Sequence, residues 1–391
     1  MKLTVIIVNY NVKELVEQCL QSVMRAAERV TTEVIVVDNN SSDGSVEYLR
    51  TRFQNVKFIE NEKNIGFSRA NNIAIKESTG EYVLLLNPDT FIGEHLFEEV
   101  IEFMDSNDGV GGVGVKMLNA DGSFAKESRR GVPTPFTAFC KMSGLSRLFP
   151  KNKTLGHYYL SYLPVDERVE IEIISGACMF LRKKALDEVG LLDETFFMYG
   201  EDIDLSYRLL KAGWKNYYVP SMIVHYKGES TKHNSYSYVN AFYRAMAIFF
   251  SKHFSSKSDF GLSSLVSLLS SWVIYMAIYL KAVIDFLFQN IKKLLDTKQS
   301  QYYISKRKVL VIAEEKNIPI IIKKLQAMKM QISSKVVDDD ILRNGQLAEE
   351  ILQTHYDYVV YDMNVYQFDD VLSIMEKAGN QKKAPRVYTF S

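Results

Sequence analysis

The sequence has no excess of charge of either sign, since its 391 residues include 47 Lys and Arg residues and 47 Asp and Glu residues. Proteins that bind nucleic acid along its phosphate backbone usually carry a strong basic excess. The balanced charge therefore argues against a general nucleic-acid binder, and we expect no nucleic-acid partner.

Cysteine is also scarce. Cys19, Cys140 and Cys178 lie far apart, cannot all pair and lack the spacing of a metal site. Such usage suits a reducing compartment. The apolar run in "MKLTVIIVNYNV" is too short for a signal peptide and favours a first buried strand. We therefore expect a catalytic part in the cytoplasm.

From the N-terminus, β-like runs alternate with amphipathic helical patterns. The runs are "LTVIIVNY", "EVIVVDNN", "VKFIEN" and "YVLLLNPD", and the helical patterns lie near residues 13–27, 45–53 and 68–78. Strands that are apolar on both faces and separated by helices predict a mostly parallel sheet with helices on both sides, which is a doubly wound α/β fold. Two further β-like pieces, "IEIISGACMFL" and "YYVPSMIVHYKG", flank a helix that begins near Glu201, and residues 119–165 predict a mobile loop.

Polar residues end three of the predicted strands, in the triplets "NYN" at 9–11, "DNN" at 38–40 and "NPD" at 87–89. Ligands of such sheets bind outside the carboxyl ends of the strands. Glu201, Asp202 and Asp204 open the downstream helix, and helix capping accounts for only one or two of these acids. Carboxylates gathered at one sheet edge favour a divalent cation that bridges phosphates.

Residues 306–391 repeat the alternating pattern and predict a small Rossmann-like α/β unit. Its first turn, "VLVIAEEKNIP", lacks the glycines that let a backbone approach a pyrophosphate. We therefore expect a docking role for this unit, or a role in homo-oligomerisation, and no nucleotide site.

Residues 251–305 are expected to form an apolar helical connector between the first part, 1–250, and this unit. The stretch 260–280 carries no charge and is long enough to span a bilayer. Serines recur within it and lysines follow it, so we favour a helix that lies in the interface or packs on protein, with its lysines meeting anionic lipid. A membrane span is the alternative.

Ordered motifs across residues 1–250 resemble those of glycosyltransferase family 2, with the GT-A fold. They are "VIIVNYN", "VIVVDNNSSDGS", "NEKNIGFSRANNIAI", "YVLLLNPDT", "ISGACMFLRKKALDEVGLLDETFFMYGEDIDLSYRLLKAGW" and "VHYKGES". The set is similar to that of rhamnosyltransferase-like enzymes that build bacterial surface polysaccharides. The resemblance implies a nucleotide-diphosphate sugar donor and a saccharide acceptor, which we expect to be lipid-linked.

The resemblance also assigns a group of substrate-binding positions. Those expected to hold the base and ribose are Asn9, Tyr10, Asp38, Asn40, Asn64 and Arg69. Asn87, Gly176 and Glu201 are further substrate-binding candidates, and Arg129 and Arg130 are candidates for clamping a diphosphate or a lipid pyrophosphate. Core packing for Tyr10, and solvated charges for the three arginines, are the structural alternatives.

For the metal and the chemistry, the resemblance points to three residues. The Asp-x-Asp motif of the family is here Asn87-Pro88-Asp89, so Asp89 is the expected ligand of Mg²⁺ or Mn²⁺, and His225 matches a second ligand unless it is a structural histidine. Asp202 matches the catalytic base. Transfer with inversion needs one carboxylate, which takes the proton of the acceptor hydroxyl.

The expected function is therefore an inverting, metal-dependent glycosyltransferase at the cytoplasmic face of the inner membrane, with peripheral membrane contact. A catalytically silent scaffold that binds a nucleotide sugar or a partner enzyme is the alternative from another class. A nucleotidyltransferase is disfavoured, because "VNYNVKEL" has no glycine for a phosphate loop.

Overall fold

A computed structural model describes residues 1–227, 236–254, 307–326, 330–337, 346–379 and 384–390. The predicted connector beyond Phe254, including the apolar stretch 260–280, lies outside these residues. Among the helices within the described ranges, none combines the length and the apolar character that crossing a membrane requires.

The first part of the chain builds a large sheet and its covering helices. Its strands are β1 (Leu3–Asn9), β2 (Thr32–Asp38), β3 (Lys57–Glu60), β4 (Tyr82–Leu86), β5 (Thr90–Ile92), β6 (Val110–Leu118), β7 (Val169–Ile171), β8 (Cys178–Arg182) and β9 (Lys215–His225). Its helices are α1 (Lys13–Ala26), α2 (Ser45–Arg52), α3 (Phe67–Glu77), α4 (Leu96–Asp105), α5 (Pro135–Met142), α6 (Leu145–Leu148), α7 (Lys183–Val189), α8 (Glu201–Lys211) and α9 (Tyr236–Phe254).

The strands of the large sheet follow the order β3-β2-β1-β4-β8-β6-β9-β5, and β7 pairs with β9. Strands β1, β2, β3, β4, β6 and β9 run in one direction, and β5, β7 and β8 run in the other. Strand β1, "LTVIIVN", is buried along its whole length, as expected for a central strand rich in β-branched residues. The predicted α/β fold class is confirmed.

Helices cover both faces of this sheet. Helices α1 and α4 pack on one face, where Leu20 and Phe97 are fully buried with alternate strand residues such as Val36. Helices α3, α7 and α8 pack on the other face, where Ala74 and Leu205 join the second core cluster. Because side chains alternate along a strand, β1, β2, β4, β8 and β9 each contribute to both clusters.

The topology brings several chain segments to one edge of the sheet. Strand β8 is antiparallel to β4, so its N-terminal end meets the C-terminal end of β4, where the Asn87 backbone N–H donates to the Ala177 carbonyl at 2.9 Å. Strand β9 runs parallel to β6 and ends with His225 at this same edge, opposite Thr90 of β5. The three polar triplets and the start of β8 therefore converge.

Residues 119–165, which were expected to form a loop, contain two short helices, α5 and α6. The Thr134 hydroxyl caps α5 by accepting from the Thr137 backbone N–H at 3.2 Å, and Pro135 occupies the first helical turn. The irregular composition hid these helices, because each is too short for a clear helical period.

The C-terminal part builds a second, fully parallel sheet. Its elements are β10 (Lys308–Ile312), α10 (Ile318–Gln326), β11 (Gln331–Lys335), α11 (Gln346–Thr354), β12 (Tyr358–Asp362), α12 (Phe368–Gly379) and β13 (Arg386–Phe390), with the strand order β11-β10-β12-β13. The predicted small α/β unit is confirmed as a fold, and the exact domain boundaries stay a prediction.

This second unit packs against β5 and β9 of the large sheet through α12. The Phe91 and Phe368 rings lie 5.5 Å apart, and the Tyr226 and Tyr388 rings stack at 5.7 Å. The Glu94 carboxylate accepts from the backbone N–H groups that begin α12, at 2.8 and 2.9 Å. The unit therefore docks on the large sheet within one chain, whereas oligomerisation stays a prediction.

Candidate active site

A cavity of about 430 Å³ opens at the edge where the strand ends converge. Its wall combines polar groups from the ends of β1, β4 and β9, the segment before β8, and the start of α8. The sequence-predicted residues in this wall are Tyr10, Asn64, Asn87, Asp89, Arg130, Gly176, Glu201, Asp202 and His225. Asp89 and Asp202 thus face one shared cleft.

The Asp202 carboxylate is held firmly at the mouth of α8. Its Oδ2 accepts from the Arg130 guanidinium and from the Gly176 backbone N–H, the latter at 3.0 Å, and its Oδ1 accepts from the Ile203 backbone N–H at 2.8 Å. Burial alone would lower the pKa of Arg130, but the Asp202 carboxylate raises it above its usual value, so the guanidinium stays charged. The carboxylate is fixed in position and keeps lone pairs for another donor.

Glu201, which immediately precedes Asp202 in the chain, has a different environment. Its side chain is buried, and Oε2 has no hydrogen-bond partner among the described residues. Burial, with the Asp202 carboxylate beside it, raises the pKa of Glu201 to about 8. Glu201 is therefore mostly protonated at neutral pH.

Asp204, the third acid of the group, faces away from the cavity and anchors α9. It is fully buried and pairs with Arg208 at 2.8 Å, Lys252 at 2.8 Å and His253 at 2.7 Å. Burial alone would raise the pKa of Asp204, but its partners lower it below the usual range. The three acids therefore have three separate environments.

Asp89 and His225 lie together in the wall of the same cavity. The His225 Nε2 is 3.3 Å from the Asp89 Oδ1 and 3.3 Å from the Asn87 Nδ2. Within the described ranges, no group of three or more His, Cys, Asp or Glu side chains is gathered as a metal cage. A carboxylate and an imidazole fit a divalent cation such as Mg²⁺ or Mn²⁺. Such a cation takes its remaining ligands from water and from substrate phosphates.

The candidates for the nucleotide divide between two faces of the sheet. Asn9 and Asp38 are paired in register, and the Asn9 Nδ2 donates to the Asp38 Oδ1 at 2.7 Å. Their neighbours Tyr10 and Asn39 follow on the opposite face and line the main cavity, where Tyr10 is 44 % exposed. Asn39 was not among the assigned residues, because the residue types of the triplet do not show which of its side chains face the cavity.

Asp38 and Asn40 line a second cavity of about 450 Å³ beside the first. The Asp38 Oδ2 accepts from the Ser41 backbone N–H at 2.8 Å, and Asn40 adopts a left-handed backbone with φ of 66°. In the main cavity, the Asn64 carboxamide oxygen accepts from the Gly66 backbone N–H at 3.0 Å. Asp38 and Asn40 therefore line this second cavity and do not line the main one.

Arg69 and Arg129 do not line the main cavity. The Arg69 side chain is exposed and pairs with Glu194 at 3.4 Å. Arg129 is buried behind the wall, where it donates to the Leu163 carbonyl at 2.7 Å and to the Pro164 carbonyl, and burial lowers its pKa. Because the backbone is extended at Arg129, the side chains of Arg129 and Arg130 point to opposite sides.

The sequence did not single out Glu127, Tyr158 or Lys227, all of which line the cavity. Lys227 donates to Glu127 at 3.0 Å and to Asn119 at 2.6 Å. Burial alone would raise the pKa of Glu127, but the Lys227 ammonium lowers it below its usual value. The only available signal was position, since Lys227 follows His225 by two residues at the end of β9.

The sequence profile described as "Glycosyl transferase family 2" matches residues 4–190. An N-acetylglucosaminyl-diphospho-decaprenol L-rhamnosyltransferase of Mycobacterium tuberculosis is 30 % identical over 63 % of this chain and 83 % of its own length. A low-salt glycan biosynthesis hexosyltransferase of Haloferax volcanii is 29 % identical over 53 % of this chain and 61 % of its own length.

Among solved structures, a mannosyltransferase of Pyrobaculum calidifontis in complex with GDP-Man and Mn²⁺ matches with a TM-score of 0.46 and 14 % identity, over 77 % of this chain and 76 % of that chain. At that distance the likeness carries no argument about the site. The sequence matches show the family, because the mycobacterial relative is 30 % identical and is covered over most of its length. The chain belongs to glycosyltransferase family 2 and is a glycosyltransferase enzyme.

Proposed function

We propose that this enzyme transfers a sugar from a nucleotide-diphosphate sugar to a hydroxyl of a lipid-linked saccharide, with inversion at the anomeric carbon. The observation that carries the proposal is the shared cavity, which is lined by Asp202 and by the pair of Asp89 and His225. The printed name of the mycobacterial relative, which is a transferase onto a diphospho-decaprenol-linked sugar, supports the acceptor class. We expect the enzyme to work at the cytoplasmic face of the membrane.

Asp202 is the proposed base. The acceptor oxygen attacks the anomeric carbon, its proton passes to a carboxylate oxygen of Asp202, and the bond to the diphosphate oxygen breaks on the opposite side. The Oδ1 atom receives one intramolecular hydrogen bond and so has a lone pair for the acceptor hydroxyl. Arg130 and the Gly176 backbone N–H fix the carboxylate, so little reorganisation is needed at the moment of attack.

Asp89 and His225 are the proposed holders of Mg²⁺ or Mn²⁺. When bound, the cation neutralises charge on the leaving diphosphate. Lys227 and Arg130 line the same cavity and add positive charge near that group. Tyr10, at the mouth, presents an exposed ring face on which a base can stack, and Asn39 and Asn64 offer polar contacts beside it.

Helix α9 contributes apolar side chains to the cavity wall, namely Met246, Phe249 and Phe250. These side chains limit water near Asp202, which favours transfer to the acceptor over hydrolysis of the donor. The Asp204 carboxylate contacts two side chains of this helix, through an ion pair with Lys252 and a hydrogen bond with His253, and so holds the helix in that position.

A donor panel tests the proposal. UDP-, dTDP- and GDP-sugars are incubated with the enzyme, Mn²⁺ and a polyprenyl-diphosphate-linked saccharide, and the anomeric configuration of the product is read by NMR. We expect one donor class to be consumed and the product to be inverted. A retained configuration would overturn the mechanism, and tight donor binding without any turnover would favour the silent scaffold.

A further inference from the structure

The segment from Ser128 to Val165 contains no acidic residue. Its basic residues are Arg129, Arg130, Lys141, Arg147, Lys151 and Lys153. In a chain whose acidic and basic residues are equal in number, this segment is a local positive region. Arg129 is buried and Arg130 binds Asp202, so the positive charge at the surface comes from the exposed Arg147, Lys151 and Lys153. That surface is suited to an anionic partner.

Helix α5, within this segment, turns large apolar side chains to solvent. Phe136 is 52 % exposed and Phe139 is 59 % exposed, one helical turn apart on one face. The opposite face is anchored in the protein, because Thr137, Ala138 and Cys140 are buried. The two phenylalanines are thus exposed side chains of a helix whose other face is packed against the protein.

Helix α6 continues the same surface. Leu148 is 72 % exposed and Phe149 is 52 % exposed. The side chains of Arg147, Lys151 and Lys153 are exposed around them. We call the four apolar and three basic side chains of these two paragraphs the α5–α6 surface.

The α5–α6 surface adjoins the rim of the catalytic cavity. Pro133, two residues before α5, and Tyr158, which follows α6, both line the cavity. The Lys141 ammonium of α5 lies 3.8 Å from the centre of the Tyr158 ring. A partner bound to the α5–α6 surface is therefore held beside the place where the acceptor enters.

We propose that the α5–α6 surface docks on an anionic lipid bilayer, with its four apolar side chains entering the interface and its basic side chains meeting the headgroups. Large apolar groups ringed by lysine and arginine are the composition that binds such interfaces. The residues of this surface are distinct in the sequence from the apolar stretch 260–280. The benefit of this docking to catalysis rests on the proposed function, since docking would present the sugar of a lipid-linked acceptor to Asp202.

Charge favours lipid over a second copy of the chain. A two-fold contact through this surface would bring Arg147, Lys151 and Lys153 against their own copies without an acidic residue of the segment to offset them. An anionic bilayer instead offers negative headgroups next to a hydrocarbon layer. A lipid bilayer is therefore the partner that matches both the apolar and the basic side chains of the α5–α6 surface.

A local probe tests the contact. All three native cysteines are buried, so a single environment-sensitive NBD label can be placed on the full chain through Phe139→Cys, with Ile320→Cys as the matched control. Ile320 is 54 % exposed on the C-terminal unit. Vesicles of phosphatidylcholine with phosphatidylglycerol should shift the emission at position 139 to the blue, and should leave position 320 unchanged. Pure phosphatidylcholine should give a smaller shift.

Further variants serve as controls for this test. Phe149→Cys repeats it at a second site in case the first label perturbs α5. The triple change Arg147→Glu, Lys151→Glu and Lys153→Glu should abolish the shift at position 139. No shift at either labelled site, an equal shift at position 320, or a shift without vesicles that grows with protein concentration would overturn the proposal. No sugar is present, so the outcome is independent of whether the proposed transfer is correct.

Discussion

The Nε2 of His225 lies 3.3 Å from the Oδ1 of Asp89, where β9 ends against the start of β5. The proposed cation site depends on this pair. Asp89→Asn keeps the shape of the side chain but removes its charge, so Mn²⁺ should no longer strengthen donor binding. We expect the nucleoside-diphosphate affinity measured with Mn²⁺ to fall by at least about tenfold.

Titration calorimetry with and without Mn²⁺ measures this effect. Without the metal, the variant and the parent enzyme should bind the nucleoside diphosphate alike, which serves as the control for folding. A variant whose affinity still rises with Mn²⁺ as in the parent would place the cation elsewhere.

Gly176 donates to Asp202 and also approaches it closely. A Cβ added at Gly176 would lie 3.2 Å from the Asp202 Cβ, so Gly176→Ala should push the carboxylate away from its position. Because positioning of a catalytic group is sensitive to small shifts, kcat should fall by about tenfold or more while donor affinity stays the same.

Gly109→Ala is the matched control, since a Cβ added at Gly109 meets no atom within 4 Å. Steady-state kinetics of the two variants separate a local effect from a general one. Equal kcat values for Gly176→Ala and the parent enzyme would show that the position of Asp202 does not matter.

Much of the sheet could be predicted from the sequence because β1, β2 and β4 are unbroken apolar runs that end in polar residues. Strand β6 was missed since its sequence, "VGGVGVKML", is rich in glycine, which weakens the pattern of a strand. The structure shows the reason for these glycines: a Cβ added at Gly112 would lie 2.6 Å from the Ile174 side chain. Ile174, in the segment before β8, packs closely on Gly112 and Gly114, and Trp214 packs closely on Gly111.

The candidate site was predictable as a set of strand ends but not as a set of directions. The sequence placed Asn9, Asp38 and Asn40 at the correct edge, whereas Asn39 is the member of its triplet that reaches the main cavity. Arg129 and Arg130 are neighbours in the chain, and only Arg130 faces Asp202. Such directions follow from local backbone geometry, which the residue types alone do not give.

Glu201 gives a prediction about pH. Its ordinary pKa of 4.5 rises to about 8 in the folded protein, so between these values the folded state keeps a proton that the unfolded chain has lost. Stability should therefore fall as the pH rises through this window, by at most about 1.4 kcal/mol per pH unit. Glu201→Gln cannot ionise and should lack this loss.

Urea unfolding of both proteins at several pH values tests this prediction. The advantage of Glu201→Gln over the parent should grow between about pH 5 and about pH 8. The change Glu62→Gln at an exposed acid should show no such trend. A constant difference across the range would mean that Glu201 is ionised in the folded protein.

Glu94 joins the two sheets by accepting two backbone N–H groups at the start of α12. Glu94→Gln removes the negative charge from a helix N-terminus and should destabilise the docked unit by about 1–2 kcal/mol. Glu98→Gln, in an exposed pair with Arg29, should cost less than about 0.5 kcal/mol. Equal unfolding midpoints in urea would contradict the assigned role.

The role of Asp202 is tested most directly by Asp202→Asn, measured for donor binding by calorimetry and for transfer by product formation. The amide keeps its size and can still accept from Arg130, but it cannot take a proton at neutral pH. We predict that donor affinity is retained and that transfer falls by about 10²- to 10⁴-fold. Transfer at the parental rate in a folded, donor-binding variant would contradict the account.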